Sequence, residues 1–283
     1  MRIRDALAWA RERVSYSETP GLDAEVLLAH ALRTDRAWVL AHPERVLSEA
    51  EEAAYWNAIA RRERGEPVAY LTGTKEFFGI ELAVDRRVLI PRPETETLVE
   101  RALAHLPGAG DERVVMDVGT GSGAIAVAIA HARPGARVYA TDTSAGALDV
   151  AQENARRVLG TSGRVAFVRG ALLAGIDEPA DVVCANLPYI PTAEFERLPK
   201  SVRDYEPWSA LDGGADGLDA YRALLSDLAE HRERLSAGAV VLMECDPRQA
   251  AALAELARAK LAGASATIVK DLAGDERVVE VVV

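Results

Sequence analysis

Two short segments of this chain hold residues whose types and spacing could do chemistry together. The first is Asp117-Val-Gly-Thr-Gly-Ser-Gly123, with glycine at positions 119, 121 and 123. The second is Asn186-Leu-Pro-Tyr189, which ends the apolar run Asp181-Val-Val-Cys-Ala185. Closely spaced glycines after a strand let the backbone turn tightly and approach a ligand, so the first segment can hold a nucleotide-like cofactor. The second offers hydrogen-bond acceptors and an aromatic face to a flat NH2 group. Together they suggest methyl transfer from S-adenosylmethionine to a planar amino or amide nitrogen.

An NH2 conjugated to a carbonyl or a ring is a poor nucleophile, because its lone pair is delocalised. The amide rotation barrier of about 18–20 kcal/mol gives the scale of that resonance. A catalyst must stabilise the positive charge that grows on nitrogen. Acceptors aimed at the two N–H donors do so, since these bonds strengthen as charge develops. Asn186 supplies a side-chain oxygen, and the carbonyl of Leu187 supplies a second acceptor. Pro188 fixes its own φ and holds residue 187 extended, which aims that carbonyl. Tyr189 supplies a flat face for stacking. No strong base is needed, because a methylated amide cation is very acidic.

In the first segment Gly119, Thr120, Gly121, Ser122 and Gly123 follow a strand and open a helix. Asp142 ends the next strand, about 20 residues on, where a carboxylate can accept hydrogen bonds from ribose hydroxyls. Gly119-Thr-Gly-Ser-Gly-Ala124 also fits the dinucleotide-binding pattern. A dehydrogenase is therefore a rival from the loop alone. The absence of a His or Tyr–Lys arrangement for hydride chemistry, and of a second mononucleotide half, argues against it.

The elements around these segments divide into two kinds. The first 65 residues read as helices. Ile3, Leu7, Ala10 and Val14 share one face of a helix over 2–14, a second helix covers 23–33, and Ser48-Glu-Ala-Glu51 is a capping box opening a third that ends at Gly65. Residues 75–84 read as a hairpin turning near Gly79. Ile90-Pro-Arg-Pro-Glu-Thr-Glu96 follows, with Pro93 expected at the first position of a helix that runs to about Leu106. From residue 113, strands at 114–118, 137–141, 165–168, 181–185, 239–244, 266–270 and 278–283 alternate with helices at 122–133, 144–159, 217–235 and 247–261. That alternation predicts a parallel sheet covered on both faces. The last two strands, joined through Gly274, add one antiparallel member.

Composition bounds the partners. At 283 residues the chain allows one large or two modest domains, and 49% apolar residues suffice for a core. A formal net charge of −11 argues against broad phosphate-backbone binding. Cys184 and Cys245 both fall in apolar strand-like runs, as buried free thiols in a reducing cytosol would. The five histidines are scattered and form no ligand or triad pattern. The start has no apolar signal-peptide core, and no apolar run is long enough for a membrane span.

With these residues in place, the sequence resembles the HemK/PrmC class of protein-glutamine N5-methyltransferases, which modify the Gly-Gly-Gln loop of peptide chain release factors. The resemblance spans nearly the whole chain. It rests on Ala69-Tyr-Leu-Thr-Gly73 with Glu76-Phe-Phe-Gly79, Val88-Leu-Ile-Pro-Arg-Pro-Glu-Thr-Glu96, Asp117–Ala124 and Asn186–Ile190. It continues through Tyr205-Glu-Pro207, Ala210-Leu-Asp-Gly-Gly214, Asp216-Gly-Leu218 and Lys270-Asp-Leu-Ala-Gly274. The glycine loop is common to most S-adenosylmethionine enzymes, whereas the Pro-Arg-Pro-Glu-Thr-Glu segment is far more specific.

The resemblance implies an α/β fold: a seven-stranded Rossmann-like class I methyltransferase sheet over 93–283, a small N-terminal helical domain over 1–65 that docks the substrate, and a β-hairpin linker over 66–92. It implies that Gly119–Gly123, Asp142, Leu172 and Asn186 hold S-adenosyl-L-methionine. Asn186, Leu187, Pro188 and Tyr189 would hold the glutamine amide, and Arg92, Glu94 and Glu96 would line the cleft. The expected partners are release factors, with no direct nucleic-acid or membrane contact, for a cytoplasmic monomer. Two positions depart from the family's pattern. Leu187 replaces its usual proline after the asparagine. Ala171 stands where an acidic residue near the adenine is common.

An adenine exocyclic amine poses the same chemical problem as a glutamine amide, so a nucleic-acid amino-methyltransferase remains the alternative. Ribosomal-protein glutamine methylation is a near neighbour. A cofactor-binding regulator without catalysis is a third reading, against which the intact Asn186 and Tyr189 argue.

Overall fold

A computed structural model describes residues 1–106, 108, 110, 112–161 and 163–283. The chain forms two compact units, Met1–Thr74 with Pro199–Tyr205, and Lys75–Leu198 with Glu206–Val283.

The first unit is helical. It contains α1 (Ile3–Arg13), α2 (Pro20–Leu32), α3 (Arg36–Ala41), α4 (Glu49–Glu63) and α5 (Val68–Thr72). Along α1, Ile3, Ala6, Leu7 and Ala10 are buried, the spacing of one helical face. The expected capping box closes α4: Ser48 Oγ accepts from Glu51 N, and Glu51 accepts from Ser48 N at 2.8 Å. Tyr55 and Ile59 carry that helix into a core with Leu27, Leu28 and Val39. One buried ion pair crosses the core edge, Arg62 Nε to Asp23 Oδ2 at 2.8 Å. The separate helix α3 and the short α5 have no counterpart in the sequence reading. α5 ends at Gly73, whose φ of +76° suits glycine.

The hairpin strands β1 (Thr74–Phe77) and β2 (Ile80–Ala83) form a two-stranded sheet of their own. After them come α6 (Thr95–Ala104), β3 (Val114–Val118), α7 (Ala124–Ala132), β4 (Arg137–Asp142), α8 (Ala145–Leu159), β5 (Val165–Arg169) and β6 (Ala180–Ala185). The chain continues with α9 (Lys200–Arg203), α10 (Asp219–Glu230), β7 (Leu235–Glu244), α11 (Ala250–Lys260), β8 (Ser265–Lys270) and β9 (Glu276–Val282). α6 begins at Thr95 with Glu94 as its N-cap, so Pro93 lies before the helix and not at its first position. There it opens a tight turn, with Glu96 N donating to the Pro93 carbonyl.

The main sheet has seven strands in the order β5-β4-β3-β6-β7-β9-β8. β3, β4, β5, β6 and β7 pair in parallel, and β9 runs antiparallel to both β7 and β8. The expected single antiparallel strand is therefore β9. Alternation along the strands feeds two apolar layers. Val115, Val240 and Leu242 join α6, α7 and the hairpin's Phe77 and Leu82 on one face. Val114, Met116, Val241 and Met243 join α10 and α11 on the other. With both faces covered, the strands have to present their ligand-binding end at their carboxyl termini. No helix among the described residues is long and apolar enough to cross a membrane.

Candidate active site

An open cleft of about 240 Å3 lies where β3, β4, β5 and β6 end. Gly119, Thr120, Gly121 and Ser122 line it after β3, Asp142 after β4, Ala171 and Leu172 after β5, and Asn186, Leu187 and Pro188 after β6. Arg92 and Thr95 complete it from the segment that opens α6.

The glycine loop is shaped by its neighbours. Gly119, Gly121 and Gly123 all have positive φ. A Cβ on Gly119 would lie 2.9 Å from Leu187 Cδ2, and one on Gly123 would lie 3.0 Å from Ala151 Cβ. At Gly121 nothing lies within 4 Å, so that position leaves free room. Beneath the loop, Asp117 Oδ2 accepts from the Thr120 hydroxyl at 2.6 Å and from Ala126 N at 3.1 Å. Asp117 is fully buried, and its Oδ1 has no hydrogen-bond partner among the described residues. Burial pushes this carboxyl up to about 7.

Asp142 accepts from Gly121 N at 3.0 Å and from Ser144 N at 2.8 Å. The two amides fix the carboxylate at the cleft wall and leave lone pairs for a ligand's hydroxyls. Leu172 lines the cleft in the left-handed region, φ +53°, with its carbonyl accepting from Thr141 Oγ1 at 2.7 Å. Glycines that admit close backbone approach, a fixed carboxylate and an apolar wall fit a nucleoside bearing ribose hydroxyls and a flat base.

The acceptor turn is held from behind. Asn186 Nδ2 donates to Thr95 Oγ1 at 3.1 Å. Leu187 N donates at 3.1 Å to the hydroxyl of Tyr221, a fully buried residue of α10. That hydroxyl in turn donates to the Glu244 carbonyl and lies 3.4 Å from the Leu187 carbonyl oxygen. Gln249 Nε2 donates to the Tyr189 carbonyl at 2.8 Å and to the Asp216 carbonyl at 2.9 Å. The glycine loop after residue 211 closes over the turn. A Cβ on Gly217 would lie 2.1 Å from the Tyr189 oxygen, and one on Gly213 2.7 Å from the Pro188 oxygen.

Four residues singled out from the sequence lie outside the cleft lining: Glu94, Glu96, Gly123 and Tyr189. Glu94 is exposed at the N-cap of α6. Gly123 packs on α8. Tyr189 is half-buried against the α10–α11 layer, and burial raises its hydroxyl pKa. Glu96 accepts from Phe78 N at 3.0 Å, so it anchors the hairpin and does not line the cleft.

Other residues at the site were missed. Arg92 is paired with Glu206, a buried carboxylate that also accepts from Ile90 N at 3.1 Å. Thr95 and Glu206 both lie inside the motifs quoted above, which was the available signal. Glu244 ends an otherwise apolar strand, and a lone carboxylate there was a second. Nothing local marks Tyr221 or Gln249. Cys184 and Cys245 are buried free thiols. Among the described residues no group of His, Cys, Asp and Glu could hold a metal ion.

Known proteins resemble this chain over most of its length. The PrmC N-terminal domain family matches residues 5–73, and the family of ribosomal protein L11 methyltransferase (PrmA) matches residues 95–195. The release factor glutamine methyltransferase of Moorella thermoacetica is 45% identical over 280 residues, covering 98% of this chain and 97% of that one. The protein of the same name from Rhodopirellula baltica is 40% identical, covering 96% and 93%. A methyltransferase structure from Pyrococcus furiosus shares the fold, with a TM-score of 0.50 at 20% identity, covering 80% of this chain and 97% of that one.

Proposed function

The chain belongs to the release factor glutamine methyltransferase family, and from that premise we propose that it methylates the side-chain amide N5 of the glutamine in the Gly-Gly-Gln loop of peptide chain release factors. The observation that carries this reading is the Asn186 amide, tethered by Thr95 at the end of β6, beside a glycine loop and a fixed carboxylate.

S-adenosyl-L-methionine, when bound, supplies an electrophilic methyl group. Gly119, Thr120, Gly121 and Ser122 would hold it from the loop, with Asp142 accepting from its ribose hydroxyls and Leu172 packing on its base. The amine end of Asn186 is occupied by Thr95, so Oδ1 is the free end and an acceptor. The carbonyl of Leu187 is the second acceptor. Pro188 holds residue 187 extended. As the substrate nitrogen gains positive charge, both acceptors bind its N–H groups more strongly, which lowers the barrier. Arg92, held by Glu206, lines the entrance and binds the polar backbone near the substrate glutamine. Tyr189, packed against the α10–α11 layer, supports from behind the turn that carries these groups, and Glu94 meets the substrate outside the cleft.

The helical residues 1–65 dock the release factor, 66–92 link them to the sheet, and 93–283 carry the chemistry. The protein acts as a monomer in the cytoplasm, where its protein substrate works, without contacting nucleic acid.

The test is transfer of label from tritiated S-adenosylmethionine to purified release factors, their Gln→Ala loop variants, ribosomal protein L11 and a nucleic-acid panel. Label on the wild-type factor that vanishes in the loop variant supports the reading. Label on L11 or nucleic acid alone rejects it.

A further inference from the structure

Residue 187 lies two positions beyond the last residue of β6 and still carries a backbone N–H. A buried N–H needs a partner. It finds one on another element: Leu187 N donates to the hydroxyl of Tyr221 at 3.1 Å. Tyr221 stands in the first turn of α10, fully buried in one apolar layer with Val118, Leu187, Leu225 and Met243. Close packing of that layer holds its ring in place.

A tyrosine hydroxyl has one proton to give and can accept as well. Three carbonyl oxygens lie within its reach: Glu244 nearest, then Leu187 at 3.4 Å and Ala185 at 3.5 Å. The nearest, at the end of β7, takes the proton. The lone pair left on the hydroxyl takes the Leu187 N–H. Two consequences reach the Leu187 carbonyl. Pro188 restrains residue 187 from one side, and the N–H bond to Tyr221 restrains it from the other. The proton spent on Glu244 leaves the lone pairs of the Leu187 carbonyl for a substrate N–H.

We propose that Tyr221 is the positioning residue of the acceptor turn: its hydroxyl holds the Leu187 N–H and so aims the Leu187 carbonyl at the substrate nitrogen. This rests on the acceptor role proposed for that carbonyl above. The far end of the turn is pinned separately, by Gln249 Nε2 on the Tyr189 carbonyl at 2.8 Å and by the Leu211 carbonyl on Ile190 N at 3.0 Å. Pro188 has no N–H to pin. The N–H of residue 187 is therefore the last before the proline, and an error in its direction passes straight to the carbonyl of the same residue.

A tyrosine that served the core alone would act through burial, and phenylalanine keeps the burial. Tyr221→Phe removes only the oxygen and frees residue 187 to rotate. A proline at 187 has no N–H to satisfy and fixes φ by its ring. With proline there, the hydroxyl has nothing left to hold in the turn. The two changes are therefore coupled.

The test joins amide hydrogen exchange to transfer kinetics. In the wild type the Leu187 amide is expected to exchange as slowly as the amides of β6, and in Tyr221→Phe about 100-fold faster. With a release factor as acceptor, kcat is expected to fall about 100-fold in Tyr221→Phe, the cost of a misplacement of about 1 Å. Cofactor affinity by calorimetry moves far less. In a Leu187→Pro background, whatever activity that change leaves, adding Tyr221→Phe is expected to change kcat by no more than the roughly two-fold scatter of uncoupled sites. A Tyr221→Phe enzyme with an unchanged or raised kcat overturns the proposal, as does an equal loss in both backgrounds. If Tyr221→Phe folds only once Leu187→Pro is present, the coupling stands. If it folds in neither background, the wild-type amide decides, and exchange at the rate of an exposed loop overturns the proposal. Exchange needs no methyl acceptor. A protected Leu187 amide that Tyr221→Phe sets free, with no label on any release factor, would therefore reject the substrate and leave the pinned turn standing.

Discussion

Asn154 of α8 binds both backbone groups of Ala83 on β2: its Oδ1 accepts from Ala83 N at 2.6 Å, and its Nδ2 donates to the Ala83 carbonyl at 2.9 Å. The same Nδ2 donates to the Ser122 carbonyl at 2.9 Å. One fully buried amide thus ties the hairpin edge to the cofactor loop. Asn154→Ala leaves two carbonyls and one N–H without this partner, the Ser122 carbonyl buried and the Ala83 groups partly buried. The expected loss is about 3 kcal/mol by urea denaturation, since each orphaned buried group costs about 1–3 kcal/mol and some relax to water. Cofactor affinity by calorimetry should fall in the same variant, because Ser122 loses its anchor. A stable Asn154→Ala protein that binds cofactor normally would show that the hairpin and the loop hold themselves.

Gly119 and Leu187 should be energetically coupled. A methyl at 119 would meet Leu187 Cδ2 at 2.9 Å, and φ there is +73°. Gly119→Ala therefore combines backbone strain of about 1–3 kcal/mol with a clash across the cleft. In a Leu187→Ala background the clash disappears and the strain remains. A double-mutant cycle on cofactor affinity should give a coupling of about 1 kcal/mol or more. Additive effects would mean that Leu187 moves aside freely, and that the side chain standing in place of the family's proline does not shape the loop.

Glu206 fixes Arg92. Its side chain is 1% exposed against 33% for the guanidinium, so the pair sits at a boundary and the carboxylate is the desolvated partner. Glu206→Gln keeps an acceptor for Ile90 N but removes the charge that holds Arg92. The expected result is a kcat/KM for release factor lowered about ten-fold, with cofactor affinity changed much less. Equal losses in both would place Glu206 in the architecture of the cleft wall and not in the setting of Arg92.

These residues also show what the sequence could carry. The strands and the glycine loop were legible because local signals mark them: apolar runs of fixed length, and glycines where the chain must turn against a ligand. Asp142 was legible from its place at the end of the second strand of the sheet. Asn154 was not, because a polar residue in a helix looks solvent-facing until the hairpin edge is seen against it. The turn after Tyr189 was not legible either. Its shape comes from pairings between distant segments, such as Ile190 N with the Leu211 carbonyl and Gln249 with the Tyr189 carbonyl. Pro93 was misplaced for a related reason. A proline fits the first helical turn well, but the Arg92–Glu206 pair and the buried Thr95 fix where that helix begins.

Asp117 gives the fold a pH dependence of definite sign. Its carboxyl is raised by burial from 3.8 to about 7 in the folded chain. Between those values the folded protein binds a proton that the unfolded chain has released. Its contribution to stability is therefore full below about pH 4 and is lost as pH rises through about 7. Glu244, also raised to about 7, adds a slope of the same sign. Asparagine at 117 can still accept from the Thr120 hydroxyl and from Ala126 N, and it carries no charge to bury. Asp117→Asn should therefore flatten the fall in the urea midpoint between about pH 5 and 8 by roughly half, with the remainder due to Glu244. A wild-type midpoint that rises across this range would show that the Asp117 carboxylate is stabilised where it lies, most directly by a donor to its unpartnered Oδ1.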